Sequence, residues 1–320
     1  MEHFTINGSL FLAFANYESD TVEKLNTDSF IYKFNDLTGK FVLYQTIGTH
    51  GGHDVEYFTI SGEHYLAVAN VYDGTTHRLN SVIYRWNGTL FVAFQSVATI
   101  RGASMNFFTI EKEPFLAVSN LNANSVIYEW NNDTFEKFQE IATLRCRASA
   151  AFVINNESYI VFANEANWIS TVVYKWSGKD FVKLQKLQTN IALDVKPFHI
   201  NDHSFLAIGS YPEWSFIYKW NGSRFGLFQS FPFGAVRAWH PFVICGQTFL
   251  GVADQQSTKS PLYRFSQNQF TKYQEIPAFG AVDMTSFDYK GHTYLAIANS
   301  RKNNQNNIKS TVYKLIQKEC

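Results

Sequence analysis

One phrase recurs through this chain and constrains its fold more than any other feature. In its second copy it reads Phe58-Thr59-Ile60, then Tyr65-Leu66-Ala67-Val68-Ala69-Asn70, then Ser81-Val82-Ile83-Tyr84-Arg85-Trp86, then Phe91 and Phe94-Gln95. The leading phenylalanine returns at Phe4, Phe58, Phe108, Phe152, Phe198, Phe242 and Phe287, at spacings of 44 to 54 residues. A period of that size marks a solenoid or a propeller, in which one supersecondary unit cannot bury its apolar face alone and neighbouring units complete the core.

Each unit holds four short apolar or aromatic stretches, strands a to d, separated by tight-turn chemistry: Asn7-Gly8, Ser61-Gly62, Asn87-Gly88, Ser177-Gly178, Asn221-Gly222 and Lys290-Gly291. The b stretch, as in Phe115-Leu116-Ala117-Val118, is apolar throughout instead of alternating, as expected where both faces of a sheet are covered. No segment of ten or more residues shows a helical period, which disfavours βαβ solenoids and leucine-rich horseshoes. The expected fold is all-β: a seven-bladed β-propeller of four-stranded antiparallel blades. It forms a single domain over residues 1–320, with blades starting near 3, 56, 106, 150, 196, 240 and 285. The Gly-His and Trp-Asp signature of WD repeats is missing.

Composition closes off other classes. Aromatic residues make up 17% of the chain against only 7 prolines, a balance that favours strands over disorder. Lys plus Arg and Asp plus Glu both total 27, so no basic field attracts nucleic acid. The longest apolar runs, such as Phe11-Leu12-Ala13-Phe14-Ala15, fall well short of the ~20 residues that span a bilayer. Cys146, Cys245 and Cys320 lack metal-type spacing, and their odd number leaves at least one thiol unpaired within the chain. Met1-Glu2-His3-Phe4 does not open a signal peptide, so a secreted form would have its beginning upstream of this chain.

With Phe-x-x-Phe/Tyr-Gln, Phe-x-Ile, Phe-Leu-Ala-Val-Ala-Asn and Ser-x-Ile-Tyr-Lys-Trp-Asn-Gly recurring in fixed cyclic order over residues 3 to 315, the chain resembles the epilepsy-associated repeat family, also called EAR or EPTP. The Ala-Val-Ala-Asn and Tyr-Lys-Trp-Asn-Gly phrases most resemble those of its thrombospondin-type laminin G members; leucine-rich glioma-inactivated secreted proteins belong to the same family. The resemblance implies a secreted, glycosylated propeller that binds an extracellular or cell-surface protein in adhesion or receptor recognition, without catalytic residues. One departure stands out. The last unit offers strands at Thr285–Tyr289, Tyr294–Asn299 and Ser310–Leu315, with no Phe-x-x-Phe-Gln strand before Cys320. Family members place such a strand ahead of the first unit, so this chain is expected to be a fragment or to carry an open, three-stranded last blade.

Five Asn-x-Ser/Thr sequons occur, at Asn7, Asn87, Asn132, Asn156 and Asn221. Asn-Gly turns generate such sequons by chance, so each reads equally as a plain turn. Asn7 and Asn156 lie in a-to-b turns and the others in c-to-d turns, which share one end of an up-and-down blade. The opposite end carries the b-to-c loops and the d-to-a crossings. Those loops vary most, from about Tyr17–Asp28 to the short Tyr211-Pro212-Glu213, and variable loops on a rigid frame are where binding concentrates. The partner face is therefore expected to include Tyr72, Trp168, Tyr211, Trp214 and Trp239, with Arg145, Arg147 and Arg237 near the crossings, the residue types of interface hot spots. Trp168 and Trp214 read equally well as packing between blades.

Aligned on the crossings, Asp54, Asp194 and Asp283 stand four residues before the leading Phe of their units. Carboxylates converging with carbonyls at a channel mouth suit Ca²⁺; the plainer reading is that each caps backbone N–H groups. His50-Gly51-Gly52-His53-Asp54 has the residue types of a metal cluster, but consecutive turn residues seldom converge on one ion. No Gly-x-Ser-x-Gly elbow is present, and Cys146 has no histidine motif beside it. The sequence points to a non-catalytic binding module; the alternative is a metal-dependent hydrolase centred on the propeller channel.

Overall fold

The computed structural model describes residues 1–18, 25–166, 171–300 and 308–316. All regular structure among them is β, in seven successive antiparallel sheets, six of four strands and a last one of three: a seven-bladed β-propeller. The chain divides into two compact units, Met1–Ala151 and Phe152–Cys320.

In the first unit, blade 1 is β1 (Glu2–Ile6), β2 (Ser9–Phe14), β3 (Asp28–Asn35) and β4 (Lys40–Gly48). Blade 2 is β5 (Gly52–Ile60), β6 (Glu63–Asn70), β7 (Arg78–Trp86) and β8 (Phe91–Ile100). Blade 3 is β9 (Gly102–Ile110), β10 (Glu113–Asn120), β11 (Ser125–Asn131) and β12 (Thr134–Ile141). Blade 4 opens with β13 (Cys146–Ile154), within which the division between the units falls, and continues with β14 (Glu157–Asn164), β15 (Thr171–Trp176) and β16 (Phe181–Leu187).

In the second unit, blade 5 is β17 (Ile191–Ile200), β18 (His203–Tyr211), β19 (Ser215–Trp220) and β20 (Phe225–Phe231). Blade 6 is β21 (Val236–Ile244), β22 (Gln247–Asp254), β23 (Lys259–Ser266) and β24 (Gln269–Pro277). Blade 7 is β25 (Ala281–Tyr289), β26 (His292–Asn299) and β27 (Thr311–Lys314). The open last blade expected from the sequence is present among the described residues.

The b strands are the core. Residues Tyr65 to Asn70 of β6 are all buried, as are Phe115 to Asn120 of β10, because sheets packed face to face leave neither side to water. Burying one such leucine or phenylalanine contributes roughly 2 kcal/mol. Within the first unit, Phe58 and Tyr65 of blade 2 pack with Met105, Leu116 and Phe135 of blade 3. Within the second, Phe198 and Phe205 pack with Trp239, Leu250 and Phe270. The strand-a phenylalanine meets the first strand-d phenylalanine of the next blade edge to face: Phe4 with Phe91 at 5.7 Å, Phe198 with Phe270 at 6.1 Å.

Polar letters of the repeat hold neighbouring blades together. The side chain of Asn70 accepts from His50 N and donates to Asn80 O, fastening the crossing to strand c; Asn120 and Asn299 repeat the arrangement. Buried hydroxyl pairs link the start of strand c to the end of strand d, as in Ser29 with Thr49 and Ser81 with Thr99. Gln45 donates to Phe91 O and accepts from Phe91 N, and Gln185 does the same to Phe225.

Candidate binding face

Within each unit, d-to-a crossings and b-to-c loops are hydrogen-bonded to one another at the same end of their sheets. In the first unit, Arg101 N donates to His77 O and Leu121 N donates to Arg101 O, so one crossing is fixed to two loops. In the second, Gly280 N donates to Ser257 O and Ser300 N to Gly280 O. A crossing residue in the left-handed region makes the corner, with φ of 56° at Arg101 and 51° at Arg145.

On the first unit, Arg147 and His53 come together. Arg147 Nη2 donates to His53 Nε2 at 2.8 Å, and His53 Nδ1 lies 2.7 Å from Ala103 O. A guanidinium only donates and a carbonyl only accepts, so His53 is the neutral tautomer with its proton on Nδ1. Tyr17, 42% exposed, stands edge-on to that imidazole. His50 turns elsewhere, with its Nδ1 2.6 Å from Asn26 Oδ1, so the two histidines do not converge on one ion. Arg145 is half-buried beside Leu144, which is 51% exposed and which the sequence reading passed over; an aliphatic residue between Thr143 and Arg145 in a surface crossing was the available signal. Tyr72 is half-buried, its ring tilted by 35° over that of His77 at 4.2 Å, with its hydroxyl donating to Gly74 O. The loop is tightened by Asp73, whose Oδ1 accepts from Thr75 N and Thr76 N; these bonds hold its carboxyl down at about 2.

On the second unit, Tyr211 and Trp214 flank a short loop with a cis Tyr211–Pro212 bond and are 40% and 46% exposed. Arg237 is half-buried, donating from Nε to Gln255 Oε1 at 2.6 Å. Trp239 belongs to the core: at 1% exposure it packs edge to face on Phe231 and Phe233. Trp168 lies outside the described residues, as do residues 19–24 of the blade 1 loop.

Two of the three aligned aspartates bridge inner strands. Asp54 Oδ2 accepts from Met105 N at 3.0 Å, and Asp194 Oδ2 accepts from Trp239 N at 2.8 Å. Glu56 and Asn106 act alike, accepting from Phe107 N and Ala151 N. Asp283 Oδ1 accepts from Met284 N. Burial raises the Asp194 carboxyl to about 6, with the Asp283 charge adding to the rise and Lys196 and the Trp239 N–H opposing it. Among the described residues, no group of three or more His, Cys, Asp or Glu is placed to hold a metal ion.

The opposite end of the blades carries the sequons. All five asparagines are exposed. Asn87 Oδ1 accepts from Thr89 N and Leu90 N, and Asn221 Oδ1 accepts from Ser223 N and Arg224 N, while neither amide nitrogen has a hydrogen-bond partner among the described residues. An open, mostly apolar pocket of about 360 Å³, which the sequence reading did not anticipate, is lined by Leu79, Ala98, Ile100 and Val126 together with Arg78 and Glu140 of blades 2 and 3. Cys146 is a free, buried thiol pushed up to about 11 by burial, whereas Cys245 is disulfide-bonded. No helix among the described residues is long and apolar enough to cross a membrane.

The EPTP domain model matches residues 1–35, 40–87, 90–131, 134–177, 180–221 and 269–315. Most matched stretches run from strand d of one blade to strand c of the next; the interval 222–268, outside the match, holds strand d of blade 5 and strands a to c of blade 6. The human thrombospondin-type laminin G domain and EAR repeat-containing protein is 51% identical over 85 residues, 27% of this chain and 12% of that protein. The chain thus matches about an eighth of the length of that relative. Among solved structures, a protein from Lactobacillus plantarum superposes with a TM-score of 0.67 at 12% identity, covering 95% of this chain and 91% of the other. A putative 6-phosphogluconolactonase from Bacteroides uniformis gives 0.65 at 12% identity, over 86% and 84%. At such identities the likeness concerns the fold alone.

Proposed function

The chain belongs to the EPTP repeat family, and on that footing we propose that it is a non-catalytic protein-interaction module acting outside the cell, in adhesion or receptor recognition. The observation that carries the proposal is the exposed pair Tyr211 and Trp214 on a short loop of a rigid frame. Aromatic side chains of this kind supply large contact area at small conformational cost. Arg147, held in place through His53, and Arg145 extend the same chemistry in the first unit.

Two further features favour an extracellular setting. The disulfide at Cys245 suits an oxidising compartment. The exposed sequon amides, whose Nδ2 in Asn87 and Asn221 has no partner among the described residues, suit N-glycosylation, which would crowd the end of the blades opposite the loops and leave the loop end for a partner. The alternative, a metal-dependent hydrolase of the kind propellers also host, gains little from the acidic residues, because Asp54 and Asp194 already hold backbone N–H groups.

The test is binding of the secreted protein to an extracellular partner found by array screening, repeated with Trp214→Ala, Arg147→Ala and a new sequon in the loop at Asp73. Truncating a hot spot should cost about 2 kcal/mol or more. Unchanged affinity in all three variants, together with lost binding on changes around Asn87 or Asn221, would move the site to the other end.

A further inference from the structure

The open pocket between blades 2 and 3 arises from a difference in ribbon length. In blade 3 the paired strands c and d end at Ser125 opposite Ile141. In blade 2 they run past the equivalent pair, Ser81 opposite Val97, through Asn80 with Ala98, Leu79 with Thr99 and Arg78 with Ile100. The b-to-c loop of blade 3 spans only residues 121–124, against 71–77 in blade 2, so blade 3 sets little against this overhang. Side-chain size adds to the gap: Phe30 and Phe216 follow the buried serine of strand c in blades 1 and 5, where blade 3 has only Val126. Leu79, Ile100 and Val126, all half-buried, line the pocket of about 360 Å³ that is left.

The charge around this pocket is uncompensated in one sense. Arg78 belongs to the lining, is exposed, and its guanidinium has no hydrogen-bond or ion-pair partner among the described residues. Arg101, directly after Ile100, also lacks an ion pair among the described residues, and its Nε is buried without a hydrogen-bond partner. Glu140, the carboxylate of the lining, is already satisfied: Oε1 accepts from Asn124 Nδ2 at 2.8 Å and Oε2 accepts from Lys137 Nζ. What the pocket lacks is therefore an apolar filling and a negative charge beside it.

We infer that this pocket is a docking site for a protein partner that presents an aliphatic side chain next to an acidic residue, the first entering between Leu79, Ile100 and Val126 and the second pairing with Arg78. Asn80 and Asn124, both exposed, belong to the same lining and supply amide groups that can meet the main chain of an extended segment, which a free small carboxylate does not offer. The inference rests on the reading of the chain as a protein-interaction module. The pocket nevertheless lies wholly within the first unit and uses neither Tyr211 nor Trp214, which belong to the second.

The experiment titrates the whole chain, methyl-labelled at Leu, Ile and Val, with the blocked dipeptide acetyl-Leu-Asp-amide and follows methyl resonances by NMR. Saturable shifts are expected at Leu79, Ile100 and Val126, with a dissociation constant on the order of 1 mM. Acetyl-Ala-Asp-amide should bind about tenfold more weakly, for want of the buried aliphatic group, and acetyl-Leu-Asn-amide about threefold more weakly, for want of the charge. In Arg78→Gln, an exposed substitution that should leave folding intact, the preference for Asp over Asn should vanish. Val126→Phe copies the residue that blades 1 and 5 carry at this place; it should keep the parent's circular dichroism and abolish the shifts at Leu79 and Ile100. Trp214→Ala should leave the titration unchanged, so that a failed partner assay at the exposed aromatic loop and a failed titration here are read separately. Absence of saturable shifts, equal binding of the Ala and Leu dipeptides, or a preference for Asp that survives Arg78→Gln would overturn the inference. Binding of 4-methylpentanoate as tight as that of the dipeptide would also overturn it, naming a small carboxylate as the occupant.

Discussion

Gln95 grips Phe135 at both ends of one residue: its Nε2 donates to Phe135 O at 2.8 Å, and its Oε1 accepts from Phe135 N at 2.9 Å. A side-chain amide thereby stands in for a backbone neighbour and ties strand d of blade 2 to strand d of blade 3. Gln95→Ala leaves both groups of Phe135 unpaired in a half-buried place, and a loss of about 2 kcal/mol in chemical denaturation is expected. Gln95→Glu keeps the acceptor and loses the donor, so it should fall short of the parent as well. Gln274→Ala, at the equivalent place in Phe270-Thr271-Lys272-Tyr273-Gln274, serves as the reference: its side chain is exposed and has no hydrogen-bond partner among the described residues, so the change should stay within ~0.5 kcal/mol.

Gly102 illustrates a position where the backbone must come close. A Cβ at this residue would lie 2.7 Å from Ser81 Oγ, 3.0 Å from Thr99 Oγ1 and 3.2 Å from Asn70 O. Those hydroxyls are buried and bonded to each other, to Asn70 N and to Leu79 O, so they cannot withdraw without losing partners. Gly102→Ala should destabilise the protein by about 2 kcal/mol. Gly226, on the exposed face of β20 with nothing within 4 Å of its Cβ position, makes the contrast. Gly226→Ala should be neutral or stabilise by up to ~0.5 kcal/mol through the unfolded state. Equal losses at the two sites would show that the Ser81–Thr99 pair does not set the requirement.

Asp194 makes stability depend on pH in the opposite sense from most carboxylates. Its folded value, about 6, lies above the ordinary 3.8 because burial opposes the charged form. Folding therefore favours the protonated acid, and the stability it contributes is complete below about pH 4 and lost as the pH rises through 6. Asp194→Asn keeps an oxygen for Trp239 N and removes the charge. It should melt higher than the parent at pH 7.5, by about 1 kcal/mol because Asp194 is not wholly sealed from water, and show no gain at pH 4. An equal effect at both pH values would place the cause in packing.

The sequence made the blades legible because each carries its own phenylalanine, its own turn glycine or asparagine and an unbroken apolar strand b, and the three strands of blade 7 fall where the motifs stop. It was less informative about polar letters. Asn70 and Gln95 recur visibly, yet their partners, His50 and Asn80 for one and Phe135 for the other, lie on other strands, and nothing in a linear repeat says which. Trp239 was expected on the rim because it lies in a crossing segment rich in exposed residue types. A β-bulge between Val236 and Ala238 resets which way β21 faces, and Trp239 is buried, as are Val55, Met105, Val195 and Met284 at the equivalent place in their own blades. Aligning those four apolar residues three places before the leading Phe would have placed it inside. The aspartates one position earlier are ambiguous for a different reason: a carboxylate aimed at a neighbour's N–H and one aimed at a cation look the same in sequence.

Cys146 and Cys245 offer a chemical test of compartment. Cys146 is fully enclosed, its Sγ donates to Ala148 O at 3.4 Å, and burial lifts its thiol to about 11, so at pH 8 it carries almost no thiolate and has no path for a reagent. Cys245 sits in the turn between β21 and β22 and is held in a disulfide, its partner lying outside the described residues. Protein secreted from an oxidising pathway should therefore take up no maleimide at pH 8 while native, and should label at Cys146 once denatured without reductant. Mild reduction of the native protein should expose Cys245 to the reagent while Cys146 stays protected. It should also lower the melting temperature, since removing a native disulfide typically costs about 2 kcal/mol or more by freeing the unfolded chain. Rapid labelling of Cys245 in unreduced secreted protein would show that the bond does not form there and would remove one support for the extracellular reading; rapid labelling of native Cys146 would show that the start of β13 parts from blade 3 far more often than its bonds with Ser119 and Ser125 imply.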